Sequence, residues 1–347
     1  MPLTIAIDAM GGDNAPDMVV AGIEMARKRY PEAQFLLFGD PDGLAPLLAK
    51  YSDLASVTEI RRAETVISND TKPSTALRNG RQSSMRLAID AVGAGEADFI
   101  ISAGNTGALM VMAKTVLKTL PGIDRPAIAS FFPTRRGETV MLDLGANIEC
   151  APENLVQFAL MGSIFARTAL GIQDPKVGLL NIGAEELKGR ETIRAAAQML
   201  RETALPVDYA GFVEGDGLTA GTFDVIVTDG FTGNVALKSA EGTARFISDM
   251  IRENVKASWM AKLGFLLARS TFKKLRMRID PRRYNGAMFL GLGGVCIKSH
   301  GGTDAFGFAN AIGVGVDLVS HKFNQRIADE MSPFAENTPS QDPVATA

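Results

Sequence analysis

Apolar residues in this chain come in short continuous runs rather than in strict alternation with polar ones. Residues 4–8, 34–38, 98–102, 127–132, 139–144, 177–182, 207–213, 224–228 and 295–299 read as strands, with a weaker one at 56–60. Between them lie patterns of helical period: 16–30 with Pro16 in the first turn, 75–92, 107–120, 153–170, 190–203, a long one from Val235, and 304–326. Strands without polar alternation are covered on both faces. The pattern therefore predicts an α/β fold, a mostly parallel sheet with helices on both sides. The 139–144 strand follows 127–132 closely enough to be its neighbour.

Six of the apolar runs end in a Gly-rich or small-polar turn that feeds a helix. They are Met10-Gly11-Gly12-Asp13-Asn14, Gly104-Asn105-Thr106-Gly107, Gly145-Ala146-Asn147, Gly183-Ala184-Glu185-Glu186, Gly230-Phe231-Thr232-Gly233-Asn234 and His300-Gly301-Gly302-Thr303-Asp304. Turns at the carboxyl ends of strands expose backbone N–H groups and helix N-termini, which suit an anion, foremost phosphate. The usual owners of such turns do not fit. The glycines after the first strand are adjacent, so they are not a dinucleotide fingerprint, and no Lys follows Gly107, so that turn is not a P-loop. Asn105, Thr106 or Asn234 could each simply cap a helix. Lys188 alone reads more readily as a solvated surface lysine, and His300 is as much a structural as a site candidate. His321 falls within a helix and reads as structural.

With two His, two Cys and no clustered ligands, the sequence predicts neither a metal nor a cofactor. Cys150 and Cys296 lie far apart in apolar surroundings, as expected of a reduced cytoplasmic protein. The first residues run straight into a strand pattern without a secretion signal. No stretch reaches the roughly 18 apolar residues a bilayer span needs. The net charge is −3, but residues 251–283 carry ten Lys/Arg against Glu253 and Asp280, a local +8 that leaves −11 elsewhere. In that segment Val255, Trp259, Leu263 and Leu266 are spaced as on one helical face. It could be an interfacial membrane helix, a dock for an acidic protein, or a helix pair in a dimer core. One basic island without an aromatic platform argues against nucleic acid. The chain reads as one unit over 1–331, with 251–283 as a helical insertion and a flexible Pro/Ser/Thr-rich tail over 332–347.

Ile5-Ala6-Ile7-Asp8-Ala9-Met10-Gly11-Gly12-Asp13, Ser102-Ala103-Gly104-Asn105-Thr106-Gly107-Ala108, Asp143-Leu144-Gly145-Ala146-Asn147, Asn181-Ile182-Gly183, Asp229-Gly230-Phe231 with Gly233-Asn234, and Ser299-His300-Gly301 occur in that order. Over about residues 3–328 the chain resembles the bacterial phosphate acyltransferases of the PlsX family. The resemblance implies a fold like that of isopropylmalate dehydrogenases and phosphotransacetylases, and a homodimer peripherally attached to the inner face of the cell membrane. It implies acyl transfer from an acyl-carrier-protein thioester to inorganic phosphate, giving acyl-phosphate for phospholipid synthesis. In that reading Lys188 and Asn234 are catalytic, polarising the carbonyl. Substrate would be held by Asp8, Gly11, Gly12, Asp13, Asn14, Ser102, Gly104, Asn105, Thr106, Gly107, Gly145, Asn147, Asp229, Gly233, His300 and Gly301. Only some of these turns would touch phosphate, others shaping the carbonyl site. Lys262, Lys273 and Lys274 would meet the acidic carrier, and Trp259, Phe265 and Leu266 the membrane. Two alternatives stay open: a phosphotransacetylase acting on acyl-CoA, and a non-catalytic acyl-binding scaffold at the membrane surface.

Overall fold

The computed structural model of the protein describes residues 2–203 and 205–335. The described residues form one sheet of 11 strands: β1 Thr4–Asp8, β2 Gln34–Gly39, β3 Thr58–Arg62, β4 Phe99–Ser102, β5 Ala127–Thr134, β6 Gly137–Leu142, β7 Lys176–Leu180, β8 Asp208–Val213, β9 Val225–Val227, β10 Ala287–Leu290 and β11 Val295–Lys298. Their order across the sheet is β3-β2-β1-β4-β11-β10-β5-β6-β9-β7-β8. Pairing is parallel throughout β3-β2-β1-β4-β11 and again throughout β6-β9-β7-β8. Between these blocks β11, β10, β5 and β6 pair antiparallel. An odd number of reversals lies between the blocks, so their strands run in opposite directions. The Gly-rich turns consequently fall into two groups of three, one at the strand ends of each block.

One face of the sheet is covered by the helices Asp17–Arg29, Pro152–Leu170 and Ala305–Ser320, whose Val19, Ile23, Phe158, Ile164, Phe308 and Ile312 are buried against Ile5, Leu37, Phe99 and Leu142. The other is covered by Ser84–Gly93, Thr106–Leu117 and the first turns of Gly230–Ala257. Each fully buried Phe, Ile or Leu stabilises the fold by roughly 1.5–3 kcal/mol. This two-sided coverage is why the strands carry no polar alternation.

Several elements depart from the sequence pattern. The 75–92 stretch is two helices, Pro73–Asn79 and Ser84–Gly93. Gly80 sits where a Cβ would meet Ala76 O at 2.6 Å, and Ser83 Oγ accepts from Arg86 N to cap the second helix. The final pattern likewise splits into Ala305–Ser320 and Phe323–Ala335, with Lys322 between them at φ 53°. β10 is a strand that the Gly-rich 286–297 stretch conceals. The chain's last residues, 336–347, most of the expected tail, lie outside the described residues.

The long helix Gly230–Ala257 leaves the body of the protein and is followed by the helices Trp259–Leu267 and Arg269–Ile279. Here the described side chains of the 251–283 segment do not enter the hydrophobic core. Trp259 is 73% exposed and Leu267 80%. Met260, Leu263, Phe265 and Leu266 are also exposed, and Phe265 stacks on Phe272 with ring centroids 4.6 Å apart. Lys262 and Lys273 are exposed beside them, whereas the side chain of Lys274 lies outside the described residues.

Candidate active site

The first group of turns is built around Asp8, which is buried at the end of β1. Its Oδ1 accepts from Ser84 Oγ (2.6 Å) and its Oδ2 from Ser102 Oγ (2.7 Å). Ser102 Oγ in turn accepts from Gly104 N at 3.0 Å. Burial raises the Asp8 carboxyl above its ordinary range, against the pull of those hydroxyls, Met10 N–H and the Lys298 ammonium. Gly11 lies directly on this carboxylate, where a Cβ would come within 2.5 Å of Asp8 Oδ2 and 2.8 Å of Gly104 N. Asp13 N donates to Gly301 O at 2.9 Å, and Asn14 Nδ2 donates to Thr303 O. The turns after β1, β4 and β11 are thus in mutual contact.

Asn105 serves as a clamp. Its Oδ1 caps the helix Thr106–Leu117 by accepting from Ala108 N, and its Nδ2 donates to the carbonyls of Asn69 (2.9 Å) and Thr71 (3.0 Å). Thr106 is exposed, and Gly107, partly buried, sits close to Pro73. His300 Nδ1 accepts from Gly302 N at 3.1 Å, which places the proton of the neutral ring on Nε2. Partial burial, and then the Lys238 ammonium, hold His300 below its ordinary range. Beneath it Asn285 is buried, accepting from His300 N and donating to Ser299 Oγ, both at 2.8 Å.

The second group is built around Asp143, buried just past β6. One carboxylate accepts five N–H groups: Ile128 N, Gly145 N, Ala146 N, Asn147 N and Asn147 Nδ2, at 2.7–3.2 Å. Burial raises its pKa while these donors lower it. The N–H groups of Gly145 and Asn147 are therefore engaged by the protein's own carboxylate. The helix Gly230–Ala257 starts on this turn. A Cβ at Gly233 would lie 2.0 Å from Asp143 O, and one at Gly230 would lie 2.6 Å from Asn147 O. Asp229 caps the helix, accepting from Thr232 N at 2.8 Å and facing Arg190 at 3.6 Å. Asn234 is exposed one turn in, and Gly145, at φ 130°, faces its side chain.

Lys188 is carried by the loop after β7. Asn181 Nδ2 donates to Lys188 O at 3.1 Å, and Lys188 N donates to Glu185 O. Gly189 has φ 87° and a Cβ there would strike Asn181 Oδ1, so the position requires glycine. Lys188 itself is exposed, and its neighbour Leu187 is 86% exposed. Ile148, Ile182, Phe231 and Val235, each next in sequence to a residue of this group, are exposed as well.

The long helix joins the two groups. Asn234, Lys238 and Glu241 are spaced for one helical face. Lys238 Nζ lies 2.8 Å from Glu241 Oε2, and both charges act on His300. The helix therefore runs from the Asp143 turn towards the Asp8 turns, bringing Lys238 and Glu241 to the side of His300. Ser84, Asn285 and Lys298, buried beneath the Asp8 group, and Lys238 beside His300 were not among the residues expected from the sequence. Lys298 did carry a signal, a lysine inside an apolar strand.

The Gly-rich turns with the helix starts and cations beside them are suited to an anion, and the exposed Asn234 and Lys188 offer an amide and an ammonium to a carbonyl. The model of the family described as "Fatty acid synthesis protein" matches residues 3–326. A phosphate acyltransferase of Rhodospirillum centenum is 64% identical over 94% of this chain and 92% of its own length. One from Rhodospirillum rubrum is 59% identical over 95% of each chain. Among solved structures, a phosphotransacetylase from Streptococcus pyogenes superposes with a TM-score of 0.61 over 92% of this chain and 94% of its own, at 16% identity. A putative 4-hydroxythreonine-4-phosphate dehydrogenase from Salmonella typhimurium gives 0.53 over 92% and 100%, at 14%. These two likenesses concern the fold alone.

Proposed function

We propose a specific reaction for a chain that belongs to the phosphate acyltransferases, within the family described as fatty acid synthesis protein: it moves a fatty acyl group from an acyl-carrier-protein thioester to inorganic phosphate. The observation that supports this reading is the set of three Gly-rich turns in mutual contact around Asp8, towards which the helix carrying Asn234 runs. In this reading the acceptor sits on those turns, and Lys188 and Asn234 face the thioester carbonyl.

Phosphate is already anionic near neutral pH, so it attacks without an enzyme nucleophile or a general base to prepare it. A phosphate oxygen forms the new bond to the thioester carbon. The carbonyl oxygen becomes an oxyanion, stabilised by the Lys188 ammonium and the Asn234 amide. Collapse breaks the C–S bond and releases the carrier thiolate, which takes a proton from water. The products are acyl-phosphate and free carrier. Holding both reactants together supplies the remaining rate enhancement by proximity. The exposed Ile148, Ile182, Leu187, Phe231 and Val235 offer apolar contact to the acyl chain beside the reacting carbon.

The exposed basic and apolar segment serves the partners. Lys262 and Lys273, with Lys274, attract the acidic carrier, and Trp259, Phe265 and Leu266 rest on the membrane surface, in a homodimer at the inner face of the membrane. No helix among the described residues is long and apolar enough to cross a membrane, which fits a peripheral contact.

One assay tests the reaction: purified protein, phosphate, and either an acyl-carrier-protein thioester or acyl-CoA, with acyl-phosphate as the readout. Acyl-phosphate is expected from the carrier thioester. Activity with acyl-CoA alone would replace the donor, and no phosphate-dependent thioester loss from either would remove the reaction. Charge reversal at Lys262 and Lys273 should raise KM for the carrier several-fold at low salt and much less at high salt, as screening of exposed charges requires.

A further inference from the structure

Lys298 ends β11, the last strand of the parallel block and central in the 11-stranded sheet, with Cys296 and Ile297 before it and Ser299 after it, all buried. A lysine in such a place is rare unless paired. Its Nζ donates to two main-chain carbonyls, Ala103 O at 3.3 Å and Ser299 O. These belong to two different turns of the Asp8 group. Each peptide so held is also held from its other side: Gly104 N donates to Ser102 Oγ, and His300 N to Asn285 Oδ1. One ammonium therefore ties the turn after β4 to the turn after β11, immediately beneath these Gly-rich turns.

We propose that Lys298 is the positioning residue of the acceptor phosphate: its buried ammonium fixes the 103–107 and 299–302 turns relative to each other and supplies the fixed positive charge beneath the anion. This rests on the reading that phosphate is the acceptor and sits over these turns. Two neutral carbonyls could be satisfied by a neutral donor. An ammonium there adds charge to a low-dielectric region, where its attraction for an anion is screened far less than at the surface.

The charge is also conditional. Burial pushes the Lys298 amine down to about 8. Asp8 on β1, Asp13 in the turn after it and Cys296 on β11 favour its charged form, and Lys238 on the long helix opposes it. The folded-state pKa is lowered, so the ammonium is the main form below about pH 8 and is lost as pH rises through that value. Phosphate affinity should follow it.

The test compares the parent with Lys298→Met and Lys298→Arg. Turnover with inorganic phosphate and the acyl thioester, and calorimetric binding of inorganic phosphate alone, are measured from pH 7 to pH 9.5. In the parent, KM and Kd for phosphate should rise about fivefold or more across that range, the loss expected when a charged anchor titrates. Lys298→Met should raise both by about 10–100-fold at pH 7 and flatten the pH course, with KM for the thioester within about twofold. Lys298→Arg stays charged throughout and should keep an intermediate affinity with no rise above pH 8. A residue that merely supports the fold would move both KM values together and leave the pH course unchanged. A phosphate Kd that is flat from pH 7 to 9.5 in the parent, or unaltered in Lys298→Met, overturns the proposal. Should Lys298→Met not fold, the parent and Lys298→Arg pH courses decide alone. A parent that binds phosphate with this pH course yet forms no acyl-phosphate leaves the anchor standing and removes the reaction instead.

Discussion

Each half of the sheet buries one aspartate at a strand end, and the two do the same job by different means. Asp8 works through intermediaries: the Ser84 and Ser102 hydroxyls donate to it, and Ser102 in turn accepts from the Gly104 N–H. Asp143 takes the backbone N–H groups of its turn directly. Successive N–H groups folded round a point make a concavity for an anion. In the Asp143 half the protein fills that concavity itself and uses it as a rigid seat for the helix that carries Asn234. In the Asp8 half the carboxylate stays below the turns, and a lysine ammonium stands beside it. A Gly-rich turn is thus compatible with two opposite outcomes, a ligand's anion or the protein's own.

The comparison breaks first at Asp143. Asp143→Ala strands five donors in a buried place, and should cost about 3–5 kcal/mol in urea unfolding, the scale for removing one partner of a buried charged cluster. A loss under about 1 kcal/mol would mean that the turn does not depend on its carboxylate. Next come Lys188→Ala and Asn234→Ala. Both side chains are exposed, so stability should stay within about 0.5 kcal/mol, while kcat falls by about 10²–10³, the range for losing an oxyanion donor. Unchanged kcat in both would place the carbonyl elsewhere.

The smallest effect has a definite sign. The Asp8 carboxyl lies above its ordinary 3.8 in the folded state, so the folded protein binds its proton more readily than the unfolded chain does. Its part of the stability therefore declines as pH rises from about 4 through the raised value, and is level above it. Glu24 behaves oppositely: Arg27 holds it below its ordinary 4.5, so its contribution is present above that value and lost as pH falls. Asp8→Asn should therefore gain on the parent as pH rises from about 4 to 6, in paired urea titrations. A gap that widens instead would mean that the Ser84 and Ser102 hydroxyls outweigh burial.

Much of this molecule was legible in its sequence. Runs such as 4–8 and 98–102 announce strands because both faces are buried, and the turns announce the strand ends. What stayed hidden depends on direction and distance. Nothing in a hydrophobic pattern says that β6-β9-β7-β8 run against β3-β2-β1-β4-β11, so six turns that read as one set divide in two. β10 was masked by the glycines around it. Asn105 reads equally as a cap or as a ligand, and its amide is spent on capping and on the 69–71 carbonyls. Lys188 looks like any surface lysine until Asn181 and Gly189 are seen to fix its backbone. Lys298 and Ser84 matter through contacts with residues about 195 and 76 positions away, which no local motif encodes.

The helix Gly230–Ala257 acts as a ruler with a phase. Its 28 residues make a rod about 42 Å long, with Asn234 near one end and the exposed basic helices at the other. Each residue contributes about 1.5 Å of length but about 100° of rotation. Removing two residues from its exposed middle would hardly shorten the rod, yet would swing the far helices by about 200° about its axis relative to Asn234. The surface proposed to meet the carrier and the membrane is thus set in azimuth far more strictly than in distance.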